Sequence, residues 1–214
     1  MKRQGRTLAI PGRRRKPRAA PRLLAVTDLR RMADPRPMIE RLPRGSGVLF
    51  RHYELPRAAR LQLARQIAAL CRQRGLFLLV AGDAPLAQAV GADGLHLPEW
   101  MLHGRRRPRG GWLVTAAAHN AAAIARAARG GAAAVLISPV FATASHPGAK
   151  ALGPVRFAAL AAQARRRGLL VYALGGIDAA TLKRLRPVPK TGIAAIAGMA
   201  ALAECRPDRP GIRR

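Results

Sequence analysis

Short apolar runs alternate with longer amphipathic segments along most of the chain. Residues 133–137 are continuously apolar and end in Val, Leu and Ile, which is typical of a strand buried on both faces. Residues 57–74 instead place apolar side chains such as Ile67 and Cys71 at helical spacing and end at Gly75, a residue type common just after a helix. This alternation predicts an α/β protein with a parallel sheet.

Eight strand patterns occur, and helices or loops separate them. The predicted strands are residues 23–28, 47–53, 76–80, 95–97, 112–117, 133–137, 169–174 and 192–198. The predicted helices are residues 37–42, 57–74, 84–90, 121–129, 155–167 and one that starts after Asp178, with Asn120 and Asp178 as N-caps. This order predicts a compact (β/α)8 barrel, also called a TIM barrel. The alternative is a doubly wound open sheet, which the absence of a GxGxxG motif after the first strand and of a GxxxxGKS or GxxxxGKT motif disfavours.

The length of the chain suits a single domain. It has 214 residues, of which 50% are hydrophobic, enough to bury one sizeable core. We predict a barrel domain over residues 22–203. A basic disordered tail is predicted at residues 1–21, and a second basic tail at residues 204–214.

The charge of the chain is strongly positive. The formal net charge is +29, from 39 Lys and Arg residues against 10 Asp and Glu residues. Such a charge attracts phosphorylated ligands, nucleic acid and anionic membranes alike. The arginines are spread through every predicted helix, which favours a solvated surface over one binding stripe. We expect phosphorylated small molecules as partners, and nucleic-acid binding no stronger than non-specific attraction.

Several classes of protein are disfavoured by what the sequence lacks. Cys71 and Cys205 lie far apart without metal-ligand spacing, so neither a zinc site nor a disulfide framework is expected. No run reaches the roughly 18 apolar residues of a membrane span, and the first residues lack the apolar region of a signal peptide. We expect a cytoplasmic protein that does not contact membranes, and we leave a homo-oligomer open.

Polar residues gather just after the predicted strands. In a (β/α)8 barrel the carboxyl ends of the strands form the active face. His96 lies within a strand and is predicted to be an interior imidazole, while Asp93 is predicted to bond the backbone of its own turn. The residues predicted at the active face are Asp28, Arg51, His52, Asp83, Glu99, His119, Thr143, Ser145, His146, Gly175 and Gly176.

Six short motifs occur in an order and spacing that match a known family. They are Val26-Thr27-Asp28, the GADGLHL segment at residues 91–97, the Ala-Ala-His segment at 117–119, the SPVFATAS segment at 138–145, the LGGI segment at 174–177 and the Gly-Ile-Ala segment at 192–194. Together they resemble the thiamine phosphate synthase/TenI family of (β/α)8 barrels. The resemblance runs from about Leu23 to Leu202.

The resemblance implies a transferase of thiamine biosynthesis. In the synthases of this family, hydroxymethylpyrimidine diphosphate loses pyrophosphate, and the nitrogen of a thiazole phosphate captures the pyrimidine to give thiamine phosphate. Mg²⁺ and basic side chains neutralise the leaving group, and backbone N–H groups and hydroxyls hold the thiazole phosphate. By matching position, Arg51 corresponds to the residue that binds pyrophosphate, His119 to the histidine of the fifth-strand motif, and Thr143, Ser145, Gly175, Gly176 and Gly198 to the phosphate-binding positions.

The chain departs from the family pattern at the metal and pyrophosphate positions. Tyr53, Gly82, Met101, His146 and Ala197 stand where the family has, in turn, a lysine, a metal-binding aspartate, a second metal carboxylate, a lysine and a serine. The pyrophosphate half of the site therefore looks eroded, while the thiazole-phosphate half is better kept. Asp83 and Glu99 lie close to the missing carboxylates in sequence, and we predict that this pair holds Mg²⁺ if the synthase activity is retained.

Three other functions stay open. The first is a TenI-like thiazole tautomerase, which would transfer protons without metal; Pro139 replaces the base of that branch, so His119 or His146 would take the role. The second is a non-catalytic barrel that binds a phosphorylated heterocycle. The third is a nucleic-acid binder that acts through surface arginines.

Overall fold

Eight parallel strands close into a barrel in the order in which they occur along the chain. The computed structural model describes residues 20–103, 111–143, 150–185, 188 and 191–195. The first strand pairs with the last, with Leu24 opposite Ala194, and this pairing closes the sheet. The predicted (β/α)8 barrel is confirmed, and the alternative of an open doubly wound sheet is wrong.

Helices connect consecutive strands. The strands are β1 (Leu23–Val26), β2 (Gly47–Phe50), β3 (Phe77–Ala81), β4 (Gly94–Leu97), β5 (Leu113–Ala118), β6 (Ala134–Ile137), β7 (Leu170–Leu174) and β8 (Thr191–Ala195). The helices are α1 (Arg36–Glu40), α2 (Arg57–Arg74), α3 (Ala84–Ala89), α4 (Ala121–Arg129), α5 (Gly153–Arg166) and α6 (Ala179–Leu182), and short 3₁₀ helices span Glu99–His103 and Lys183–Leu185.

Two apolar layers lie on either side of the sheet. The outer layer packs the helices on the strands, with Ile67 and Cys71 of α2, Ile124 of α4 and Phe157 of α5 all at most 1% exposed. The inner layer fills the barrel itself, as is usual for this fold. Its members are Leu24, Val26, Leu49, Leu79, Ala81, Ala134, Leu136 and Tyr172.

Tyr172 fills the amino-terminal end of the barrel interior. Its hydroxyl donates a hydrogen bond to the backbone carbonyl of Pro21, which precedes β1. A Cβ at Gly192 would lie 2.5 Å from two ring carbons of Tyr172, so only glycine leaves room for this ring. The carboxyl ends of the strands are thus the end at which ligands can enter.

The predicted helix caps are confirmed. The side chain of Asn120 accepts a hydrogen bond from the backbone N–H of Ala123 at 2.9 Å, at the start of α4. Asp178 and Thr181 form a capping box at the start of α6, in which each side chain accepts from the other residue's backbone N–H. These caps fix where the loops after β5 and β7 end and their helices begin.

The predicted tails lie almost wholly outside the described residues, which include only Ala20 and Pro21 of residues 1–21 and none of residues 204–214. In the described part of the chain, no helix combines the length and the hydropathy that crossing a membrane requires.

Candidate active site

The fold brings the predicted site residues to one end of the barrel, the rim formed by the carboxyl ends of its strands. Arg51 follows β2, Asp83 follows β3, Glu99 follows β4 and His119 follows β5. Thr143 belongs to the loop after β6, where it is partly buried. Ser145, His146, Ala197 and Gly198 lie outside the described residues, and their predicted roles stay predictions.

A buried Thr–His pair holds the backbone next to Arg51. The hydroxyl of Thr27 accepts a hydrogen bond from the N–H of Arg51 at 3.0 Å and lies 2.9 Å from Nδ1 of His52. The imidazole of His52 is fully buried and stacks on Phe50, with ring centroids 5.2 Å apart. Burial lowers the pKa of His52, although the backbone of Met32 acts in the opposite direction. His52 is therefore a structural residue that anchors the end of β2.

Arg60 joins the ends of two strands. Its Nε and one terminal nitrogen donate to the carbonyl of Arg51 at 3.1 and 2.9 Å, and the same terminal nitrogen donates to the carbonyl of Ala81 at 2.9 Å. Its other terminal nitrogen lies 3.1 Å from Oδ2 of Asp83, and the Arg60 side chain is only 11% exposed. The sequence reasoning missed this residue. The sequence feature that could have indicated it is the helical spacing, which places Arg60 on the buried face of α2, one turn before Ala64.

Tyr53 lies close to two guanidinium groups at the rim. The guanidinium carbons of Arg51 and Arg60 are 5.6 and 5.3 Å from the centroid of the Tyr53 ring. Gly82 adopts a left-handed φ of +68°, and a Cβ there would lie 3.2 Å from Cε1 of Tyr53. The aromatic ring at position 53 and the absence of a side chain at position 82 are therefore matched to each other.

The interior imidazole predicted at His96 is confirmed. His96 is 6% exposed, and its Nδ1 lies 2.9 Å from the hydroxyl of Thr115 on β5. Burial, helped by the positive charge of Arg51, lowers the pKa of His96 to about 3, so the ring is neutral near pH 7. The carboxylate of Asp93 accepts a hydrogen bond from the N–H of Leu78 at 2.9 Å, so it bonds the backbone of β3; the bond to its own turn stays a prediction.

A second arginine–carboxylate pair lies at the ends of β4 and β5. Oε1 of Glu99 lies 2.6 Å from Arg126 of α4, and Oε2 of Glu99 lies 3.7 Å from Nε2 of His119. Nδ1 of His119 lies 2.7 Å from the backbone carbonyl of Ser138, to which it can only donate. Half of the His119 side chain is exposed. The imidazole is thus oriented from both sides by described residues.

Gly175 and Gly176 pack against the loop that follows β6. Both have positive φ angles, +98° and +62°. A Cβ at Gly175 would lie 2.9 Å from Cα of Pro139, and one at Gly176 would lie 2.7 Å from Cβ of Phe141 and overlap the carbonyl oxygen of Ala142. The carbonyl of Gly175 accepts a hydrogen bond from the N–H of Phe141 at 3.0 Å. Glycine is required here for close packing between the loops after β6 and β7.

The described residues do not form an open Mg²⁺ site. Mg²⁺ prefers several oxygen ligands with near-octahedral geometry. Both carboxylates predicted to hold it are occupied by arginines, and Met101 packs against the outer apolar layer. Among the residues that the structure describes, no three His, Cys, Asp or Glu side chains come close enough to hold a metal ion.

The chain is similar to known proteins over most of its length. A family model described as thiamine monophosphate synthase matches residues 25–202. A thiamine-phosphate synthase of Chloroflexus aurantiacus is 30% identical over 186 residues, which cover 84% of this chain and 85% of that protein. A thiamine-phosphate synthase of Bacillus velezensis is 27% identical over 189 residues, which cover 85% of this chain and 83% of that protein.

The solved structures agree on the fold. A thiamine phosphate pyrophosphorylase from Pyrococcus furiosus matches with a TM-score of 0.68 at 18% identity, over 85% of this chain and 90% of that one. Fold and rim together define the class of protein, a (β/α)8 barrel with its polar groups gathered at the carboxyl ends of the strands. Within that class, the chain belongs to the thiamine monophosphate synthase family, which confirms the resemblance inferred from the sequence motifs.

Proposed function

We propose that this protein joins hydroxymethylpyrimidine diphosphate to a thiazole phosphate, which yields thiamine phosphate and pyrophosphate. The observation that carries the proposal is the family match over residues 25–202, which spans every element of the rim. The relatives named above are thiamine-phosphate synthases, and at about 30% identity they cover most of the chain. The proposal therefore concerns a transferase of thiamine biosynthesis.

The chemistry requires charge stabilisation at the leaving group. The bond between the pyrimidine methylene carbon and the diphosphate oxygen breaks, and the oxygen keeps the electron pair. The thiazole nitrogen then donates its lone pair to that carbon, so a C–N bond replaces the C–O bond. Arg51 is partly buried at the rim and pairs with no carboxylate among the described residues. We assign to it the stabilisation of the departing pyrophosphate.

The thiazole phosphate would bind at the loops after β6 and β7. Thr143 supplies a hydroxyl, and the backbone N–H groups around Gly175 and Gly176 supply donors next to the phosphate. The tight packing of these two glycines on the loop after β6 supports this assignment, because it fixes the two loops relative to each other. Ser145 and Gly198 are proposed as further phosphate ligands on the basis of the sequence match alone.

A thiazole tautomerase is the second candidate. His119 has one nitrogen committed to the Ser138 carbonyl and the other exposed beside Glu99, which is a suitable arrangement for moving a proton. This reaction would need neither a diphosphate substrate nor a metal. Loss of tautomerisation in His119→Gln, with coupling of the two substrates absent in the unaltered protein, would favour this candidate.

The proposal is tested by incubating the full chain with both substrates and following thiamine phosphate and pyrophosphate together. We expect equal amounts of the two products. Arg51→Gln should lower the rate by about 100-fold, the usual cost of removing one group that stabilises developing charge. Arg57→Gln is the matched control, because Arg57 is exposed at the start of α2 and carries the same charge. Absence of both products from the unaltered protein would contradict the proposal.

The Mg²⁺ dependence that the family resemblance implies is tested by running the same assay with a chelator and with added Mg²⁺. We further propose phosphorylated small molecules as the partners and the cytoplasm as the location. Each follows from the biosynthetic reaction proposed above. Light scattering of the purified protein would settle whether it forms the homo-oligomer that the sequence left open.

A further inference from the structure

Both carboxylates at the predicted metal positions already have partners. Oδ1 of Asp83 accepts from the N–H of Leu86 at 2.8 Å, and Oδ2 accepts from Arg60 at 3.1 Å. Glu99 accepts from Arg126 at 2.6 Å. A divalent cation that bound to either carboxylate would have to displace a guanidinium group.

Arg60 is held too firmly to withdraw. Its side chain is only 11% exposed, and besides Asp83 it donates to two backbone carbonyls, those of Arg51 and Ala81. Hydrogen bonds from a charged, planar guanidinium group are stronger than those between neutral groups, and Arg60 makes several of them at once. A dication at Asp83 would therefore place its charge next to a guanidinium that cannot move away.

The third expected donor position is not available either. Residue 82 is a glycine with a φ of +68°, so no side chain is available there to bind a metal ion. Any Cβ there would lie 3.2 Å from Cε1 of Tyr53, whose ring also contacts the guanidinium groups of Arg51 and Arg60. Position 82 therefore supplies no carboxylate, and the nearest atom to a side chain there would belong to the Tyr53 ring.

We infer that Arg60 takes the place of a divalent cation at Asp83. Asp83 then anchors a positioning arginine, and Arg60 fixes the carbonyl of Arg51, the residue assigned to pyrophosphate. Anionic ligands at the rim would then contact guanidinium groups of the protein itself and not a bound metal ion. The role of Arg51 in this inference rests on the proposed function, whereas the exclusion of a cation from Asp83 goes beyond it and is tested separately by ion binding to the free protein.

The test is a titration of the full chain with Mn²⁺, followed by the electron paramagnetic resonance signal of the free ion. The unaltered protein and Asp83→Asn should give the same binding curve. Arg60→Gln should bind Mn²⁺ roughly tenfold more tightly than the unaltered protein, because it frees the carboxylate. The double variant Arg60→Gln/Asp83→Asn should lose this gain. Arg65→Gln is the matched control, since Arg65 is exposed on the same helix and removes the same charge.

A second measurement uses inorganic pyrophosphate in the presence of a chelator. The unaltered protein should bind it by calorimetry, and both Arg51→Gln and Arg60→Gln should bind it roughly tenfold more weakly while Arg65→Gln does not. If Arg60→Gln does not fold, Arg60→Met replaces it in both measurements, because methionine fills much of the same space without the charge.

Three results would overturn the inference. One is Mn²⁺ binding by the unaltered protein that Asp83→Asn weakens. Another is an Arg60 variant that folds and binds Mn²⁺ no better than the unaltered protein. The last is pyrophosphate binding to the unaltered protein that appears only when Mn²⁺ is added. The coupling assay can fail without affecting any of these measurements, so failure of the proposed function is distinguishable from failure of the inference.

Discussion

Glycines with the same backbone conformation have very different surroundings in this protein. Gly91 and Gly176 have φ angles of +64° and +62°. Nothing lies within 4 Å of a Cβ built on Gly91, whereas one built on Gly176 would overlap the carbonyl oxygen of Ala142. Comparing alanine substitutions at these two positions therefore separates the free-energy cost of the left-handed backbone from the cost of steric crowding.

We therefore predict that Gly176→Ala destabilises the protein much more than Gly91→Ala. Gly91→Ala should cost about 1 kcal/mol of unfolding free energy, the price of a left-handed alanine. Gly176→Ala should cost about 2–4 kcal/mol because overpacking adds to that strain. Urea unfolding of the three proteins measures both values. Equal losses would show that the loops after β6 and β7 can separate without cost.

The buried imidazole of His96 should make stability depend on pH. Its pKa is about 3 in the folded protein and near the ordinary histidine value of 6.5 in the unfolded chain. Between those values the unfolded chain binds the extra proton, so stability is lost as the pH falls through this window, by up to about 1.4 kcal/mol per pH unit. Unfolding of the unaltered protein and of His96→Gln should be compared from pH 7 to pH 4. The variant should lose less, and parallel curves would contradict the assignment.

The sequence predicted which residues reach the rim, but not which of them bond one another. Strand ends and motif spacing were enough for Arg51, His119 and the two glycines, because the barrel places all such positions at one end. The Arg60–Asp83 pair was missed since it joins a helix face to a strand end 23 residues away. Such a pairing depends on the packing angle of α2, which no local pattern contains.

At the scale of elements, the first two strands are shorter than their apolar patterns suggested. Strands were predicted over residues 23–28 and 47–53, but β1 ends at Val26 and β2 ends at Phe50. The reason is a side chain: the hydroxyl of Thr27 accepts the N–H of Arg51 and ends the ladder. Helix boundaries were predicted more closely, because caps such as Asn120 act within a few residues of the sequence.

The cap of α4 gives a prediction at this scale. Asn120→Ala removes the acceptor for the N–H of Ala123 and should cost about 1 kcal/mol of unfolding free energy. Asn120→Ser keeps a capping oxygen and should lower the unfolding free energy by only a few tenths of a kcal/mol. Thermal unfolding of the two variants measures the difference. If both variants unfold together, α4 is held by packing of Ile124 alone.

At the scale of the whole molecule, charge repulsion opposes folding. The net charge of +29 over 214 residues is far from zero. Ion pairs such as Arg60–Asp83 use some of the few carboxylates, which leaves most arginines without a countercharge. Self-repulsion of this kind weakens the compact state and is screened by salt.

We predict that the melting temperature rises with ionic strength. Raising NaCl from about 50 mM to about 500 mM shortens the Debye length to a few ångströms and should stabilise the full chain. Sodium sulfate at the same ionic strength is the comparison, since an anion that binds the rim adds to screening. A melting temperature that falls with NaCl would mean that favourable ion pairs outweigh repulsion.

Tyr172 fills the amino-terminal end of the barrel interior, opposite the rim. Its hydroxyl bonds to Pro21 and its ring lies against Gly192, so the rim is the end at which we expect ligands to enter and leave. A ligand that enters past Arg51 would then leave by the same route. A ligand bound at Gly175 and Gly176 would block access to positions deeper in the barrel. The order in which the substrates bind and the products leave would then determine turnover. Released pyrophosphate that rebinds would compete directly with the next diphosphate substrate.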